Sequence, residues 1–266
     1  FERSKGGMRP TDAGCQLLEA AQRVAASMRE CGEALKAIRG LGGGCVSVGL
    51  VSTAKYFAPR ALAAFTKQHP GIELRLLVGN RQQTLEALAR LDIDIAITGY
   101  PPEALPVDKQ IIGDHPHIII APPDHRLMTR RRIKLRDLGS ETFVVREPGS
   151  GTRLLMERFF DQAGIRPRIG MEVDSNETIK QAVIAGLGIA FISAHTVAAE
   201  VQWRRLGVLS TVGTPVIRKW YAVKHSQKRL LPSATGMWDF LVSDAGRFLP
   251  EVDRMLHKSS RRGSNL

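Results

Sequence analysis

From Arg146 to Arg153 the chain reads Arg-Glu-Pro-Gly-Ser-Gly-Thr-Arg, a small-residue loop leading from a strand pattern into a helix pattern. Free backbone N–H groups at a helix start, together with the helix dipole, favour an anion there. Arg153 would add a guanidinium able to clamp a phosphate or carboxylate through two parallel bonds. Hydroxyl and amide groups gather at other strand ends: Ser52 and Thr53, Asn80, Thr98, Asn176 and Ser193. Residues of these types also cap helices and form turns. Their convergence on the carboxyl ends of strands, where open α/β sheets bind ligands, favours a cleft lined by Ser52, Thr53, Asn80, Thr98, Ser150, Thr152, Arg153 and Asn176.

Motifs for covalent chemistry are missing. There is no Walker A loop, no G-x-S-x-G, no H-E-x-x-H, and no G-x-G-x-x-G after a strand. His115 and His117 share one face of a strand, but no third ligand stands at a convincing metal spacing. The sequence therefore argues for recognition, without cofactor or metal, and against an enzyme.

The positioning elements alternate. Strand patterns at 46–50, 72–78 and 94–98 are separated by helices near 59–69 and 82–91, which predicts a mostly parallel sheet with right-handed crossovers. A second unit repeats the plan, with strands at 118–121, 142–145, 170–174 and 189–193 and helices at 152–163 and 176–187. A strand at 216–223 and a helix at 233–248 return to the first unit. The expectation is an α/β protein with one lobe at 45–116 and 220–250, a second at 117–219, and a hinge where the chain crosses twice.

Ahead of the lobes, residues 11–41 read as one helix. Leu17, Ala21, Val24, Met28, Cys31, Leu35 and Ile38 recur at alternating spacings of four and three, a narrow apolar seam suited to a helix–helix dimer. Before it, residues 1–10 place Arg3, Lys5 and Arg9 around Gly6-Gly7, where a tight turn would offer cations to a DNA backbone.

Composition sets wider limits. The 266 residues suffice for two packed lobes, and a formal net charge of +12 favours anionic partners without proving DNA binding. Cys15, Cys31 and Cys45 form no paired framework, which points to a reducing cytoplasm. No apolar run approaches membrane-spanning length, so no membrane partner is expected. Residues 251–266 read as a disordered tail.

Pro10-Thr-Asp-Ala-Gly14, with the basic stub before it and the helix after it, resembles the end of the wing and the start of the linker helix in LysR-type transcriptional regulators. The two-lobed, periplasmic-binding-protein-like body fits the same family, so the resemblance covers essentially the whole chain. Gly49-Leu-Val-Ser-Thr-Ala-Lys-Tyr-Phe-Ala-Pro59, Val78-Gly-Asn-Arg81, Arg146 to Arg153 and Ser175 to Ile189 narrow it to regulators of the Calvin-cycle carbon dioxide fixation (RuBisCO) operon. The resemblance implies an activator that works as a dimer or tetramer. It would bind operator DNA through a winged helix-turn-helix lying mostly before Phe1, and would respond to a small anionic effector, such as a phosphorylated Calvin-cycle metabolite or a nucleotide. A solute-binding protein for transport is the alternative on the same body.

Overall fold

The structure, a computed structural model, describes residues 2–4, 7–38 and 43–252. Strands β1 (Glu2–Ser4) and β2 (Gly7–Arg9) pair antiparallel, with Glu2 opposite Arg9. Arg3 lies on β1, Arg9 is exposed on β2, and Lys5 falls outside the described residues.

Helix α1 (Asp12–Ile38) begins where Thr11 Oγ1 accepts the Gly14 N–H at 3.1 Å and Asp12 places a carboxylate in the first turn. The expected end at residue 41 lies outside the described residues. Leu17, Val24, Met28 and Leu35 are 53–72% exposed, and Ala21 and Cys31 are exposed as well. Among the described residues, nothing covers this part of the seam; the Ile38 side chain is outside them.

The first lobe follows: β3 (Cys45–Val51), α2 (Ala58–Gln68), β4 (Glu73–Gly79), α3 (Arg81–Ala89), β5 (Ile95–Thr98) and the start of β6 (Val107–Ala121). The second contains the rest of β6, then β7 (Thr142–Arg146), α4 (Gly151–Asp161), β8 (Arg168–Val173), α5 (Asn176–Ile184), β9 (Ala190–Ser193), α6 (Ala198–Gln202) and β10 (Gly207–Val208). Strand β11 (Val216–His225) and α7 (Pro232–Ser243) lead back.

One element order departs from expectation. β3 pairs in parallel with β4 and β5, but β11 joins β5 and β6 antiparallel, and β6 takes β9 and β10 antiparallel. The expected mostly parallel sheet is therefore mixed. The cause is that β6 and β11 are long strands that run out of one lobe and back, 15 and 10 residues, instead of closing βαβ units. The first part of β6 escaped detection because Asp108, Lys109, Gln110 and Asp114 break its apolar pattern.

Each lobe buries side chains on both faces of its sheet. In the first, Val46, Val48, Phe57, Phe65, Trp220 and Met237 form the larger core, while Leu88, Ile93, Ala96 and Val223 pack on the opposite face under α3. In the second, Ile118, Val144, Ile179, Val183 and Ile192 lie under α5, and Ile119, Phe143, Met156, Phe160 and Phe191 under α4. Val252, within the expected tail, is buried against the second lobe; residues 253–266 lie outside the described residues.

Candidate functional site: a cleft between the lobes

The ends of β3 and β5, the start of α3, the middle of β6 and β11, and the β7–α4 loop enclose a cavity of about 560 Å³ that opens to solvent. Ser52, Thr53, Asn80, Thr98, Ser150 and Thr152 line it. Thr53, Thr98, Ser150 and Thr152 are buried, and Ser150 stands at the N-cap of α4 without making a side-chain cap bond. Asn80 instead closes a capping box on α3: its side chain accepts the Gln83 N–H at 3.0 Å, and Gln83 Oε1 accepts the Asn80 N–H at 2.9 Å.

Two of the expected ligand residues stand behind the wall. Arg153 is held by Glu157, by Glu172 at 3.4 Å and by the Arg146 carbonyl at 3.0 Å, and it does not line the cavity. The helical period explains this. Gly151, Leu154, Leu155 and Arg158 share the face of α4 that lines the cavity, whereas Arg153 and Glu157, four residues apart, pair on another. Asn176 is fully buried and accepts from Arg146 Nη1 at 2.8 Å while donating to Ser52 Oγ at 3.3 Å. Arg146 is 2% exposed and also grips Glu147 through two bonds of 2.7 and 2.9 Å, so its charge is already balanced.

The unbalanced charge lies elsewhere. The guanidinium carbons of Arg81, Arg158 and Arg218 stand 5.0, 5.2 and 5.0 Å from the centre of the Tyr100 ring. Arg81 donates to the Tyr100 carbonyl at 3.0 Å and Arg158 to the Tyr100 hydroxyl at 3.0 Å, and that hydroxyl donates to Glu103 at 2.6 Å. Among the described residues, none of these arginines forms a carboxylate ion pair. Burial, with the like charge of Arg158 contributing, holds the Arg81 pKa below its ordinary value. All four residues line the cavity, three cations around one aromatic ring.

The β6 side of the cavity is neutral by contrast. His115 stacks on Trp220 at 3.7 Å, and its Nε2 meets Ser193 Oγ at 2.9 Å. His117 Nδ1–H donates to the His115 carbonyl at 3.2 Å, and Trp220 Nε1–H donates to His195 Nδ1 at 3.1 Å. Burial pushes His117 down to about 3 and His195 to about 4, and holds His115 well below its ordinary value. These rings supply hydrogen bonds and stacking, without positive charge.

The lobes meet around the cavity. Besides the Asn176–Ser52 and Arg158–Tyr100 bonds, Gln82 N–H donates to the Gly149 carbonyl at 3.2 Å, and Lys180 Nζ lies 5.0 Å from the Tyr56 ring centre.

Residues 39–246 match the family model described as the LysR substrate binding domain. The chain belongs to the LysR family. Its relatives include the HTH-type transcriptional regulator CbbR of Xanthobacter flavus, 55% identical over 254 residues, which are 95% of this chain and 76% of that protein. The RuBisCO operon transcriptional regulator of Allochromatium vinosum is 41% identical over 247 residues, 93% of this chain and 82% of that one. The Synechocystis PCC6803 CcmR regulatory domain, solved in complex with 2-PG, matches with a TM-score of 0.72 at 35% identity, over 75% of this chain and 96% of that domain. This LysR-family chain is thus a transcriptional regulator, and neither an enzyme nor a transport protein.

Tyr100, Arg81, Arg158 and Arg218 were not singled out as ligand residues by sequence reasoning. Arg218 reads as solvated surface beside Lys219, and only pairing of β11 with β6 brings it to the cleft. Arg158 did carry a signal. It stands seven residues after Gly151, two turns along the helix face that begins at the small-residue loop.

Proposed function

We propose that this LysR-family chain is a DNA-binding transcriptional activator of the RuBisCO operon, working in the cytoplasm, whose effector is a short phosphorylated anion held between the lobes. The observation that carries the effector class is the trio of guanidinium groups around Tyr100 without carboxylate partners. A cleft that concentrates positive charge in a partly desolvated place is completed by an anion. The operon assignment rests on the likeness to the Xanthobacter flavus and Allochromatium vinosum regulators, and the phosphate assignment draws further support from the 2-PG complex of the Synechocystis domain.

In this account, residues 45–116 with 220–250 and residues 117–219 are the two lobes, and β6 and β11 are the hinge. Ser52, Thr53, Asn80, Thr98, Ser150 and Thr152 contact the effector together with the Tyr100 arginines, while Arg153 and Asn176 set the wall. An effector touching both lobes binds the closed hinge better than the open one and shifts the population by that difference. Helix α1 joins two or four copies, so a change in lobe geometry is transmitted to segments that contact operator DNA, with Arg3, Lys5 and Arg9 on its phosphates. No cofactor or metal is required.

Disruption of the gene in its host tests the assignment. Induction of the RuBisCO operon transcript during growth on carbon dioxide is expected to be lost and then restored by a plasmid copy. Undiminished induction in the disrupted strain would overturn it.

A further inference from the structure

His115 is 3% exposed and lines the cavity, yet its Nδ1 is buried without a hydrogen-bond partner. A buried polar nitrogen left unpaired is costly, and native sites that tolerate one usually complete it with a ligand or water. The position is built with care. Nδ1 lies against Gly99, where an added Cβ would stand only 2.6 Å from it. On the far side, Nε2 is engaged by Ser193, and the ring is clamped on Trp220, so the imidazole cannot swing to another partner.

We infer that His115 selects the effector by its uncharged end: a short phosphate ester that seats its phosphoryl group at the Tyr100 arginines completes His115 Nδ1 with a hydroxyl group. This rests on the anion-binding role proposed above for the cleft.

Two observations set the ligand's length and chemistry. Gly99 and Tyr100 are consecutive, so the His115 contact and the arginine cluster lie about one peptide step apart along the wall, ~3.8 Å between α-carbons. Arg218 is also the residue registered opposite His115 on β11. A ligand of a few heavy atoms between its phosphate and its hydroxyl spans that distance. The hydroxyl is singled out by the tautomers. If Ser193 donates to Nε2, Nδ1 carries the proton and donates to the ligand. If Nε2–H donates to Ser193, Nδ1 accepts. A hydroxyl satisfies both arrangements, because it is donor and acceptor at once. Burial and the neighbouring His117 and His195 keep the ring neutral, so it offers no charge to a second anionic group.

The test is calorimetric titration of the full chain with two probes of similar size, glycerol 3-phosphate and propyl phosphate, which differ in hydroxyl groups. The native chain is expected to bind glycerol 3-phosphate about threefold to tenfold more tightly, the range of one neutral hydrogen bond. His115→Phe keeps the stack on Trp220 but removes the nitrogen, and should erase that preference while still binding propyl phosphate. His115→Asn, which restores a polar group, should recover part of it. Thermal melts identify any variant that fails to fold, and the comparison of probes on the native chain stands without variants. Equal affinity of the native chain for both probes, or a preference that survives His115→Phe, would overturn the assignment of His115. Failure of both probes to bind would instead remove the anion-binding role of the cleft.

Discussion

Asn176 Nδ2 donates to Ser52 Oγ at 3.3 Å across the mouth of the cleft, joining the first residue of α5 to the end of β3 in the opposite lobe. Behind it the chain of contacts continues through Arg146 to Glu147, so a buried charge pair is tethered to the lobe contact. Asn176→Ala removes the Arg146 partner as well as the bridge. Stability should fall by about 1–3 kcal/mol, the cost of leaving a buried polar group unpaired, as read from urea unfolding. Ser52→Ala removes only the bridge and should cost less in stability.

Arg218→Met and Arg158→Met each withdraw one cation from the Tyr100 cluster while keeping a long side chain. Each should weaken binding of an anionic effector by about 1.5–3 kcal/mol, about tenfold to a hundredfold, in titration calorimetry. Arg153→Met should weaken binding far less, since Arg153 is occupied by Glu157 and Glu172 behind the wall.

The histidines make stability depend on pH in a defined window. His117 is lowered to about 3 and His195 to about 4, mainly by burial, and His115 shifts the same way. In the unfolded chain they titrate near ~6.5, so below that pH the unfolded state binds protons that the native state refuses. The stability present above pH ~6.5 should therefore decline as pH falls, by up to about 1.4 kcal/mol per unit for each histidine. Urea midpoints between about pH 6.5 and 4.5, above the ordinary carboxylate range, measure this. His117→Gln should flatten the slope there.

The exposed seam of α1 predicts a dimer. Val24→Glu with Met28→Glu places two carboxylates on a face that is 60% and 72% exposed in the single chain. Little change in the fold of the lobes and a shift to monomer in sedimentation velocity are expected. An unchanged sedimentation coefficient would take α1 out of the interface.

Local patterns carried much of the fold into the sequence. The apolar alternation of 46–50 and the capped helix starts at Thr11, Asn80 and Ser175 need only neighbours a few residues away. So does the loop at 146–153, which does reach the cavity. What stayed hidden depends on distant pairing. Tyr100 gathers Arg81, Arg158 and Arg218 from three separate elements, and no local pattern reveals that an arginine in β11 will face one in α3. Arg153 misled for the opposite reason: it is adjacent to the right loop, but the helical period turns it toward Glu157. The long β6 was cut short because half of it is an amphipathic, partly solvated hinge strand.

The most direct test of the cleft is titration of the full chain with 2-phosphoglycolate, beside Arg158→Met and Arg218→Met. Saturable binding to the native chain, weakened tenfold or more in each variant that retains its melting temperature, is the predicted result. No binding to the native chain, or equal affinity in both folded variants, would contradict an anionic effector held by the arginines around Tyr100.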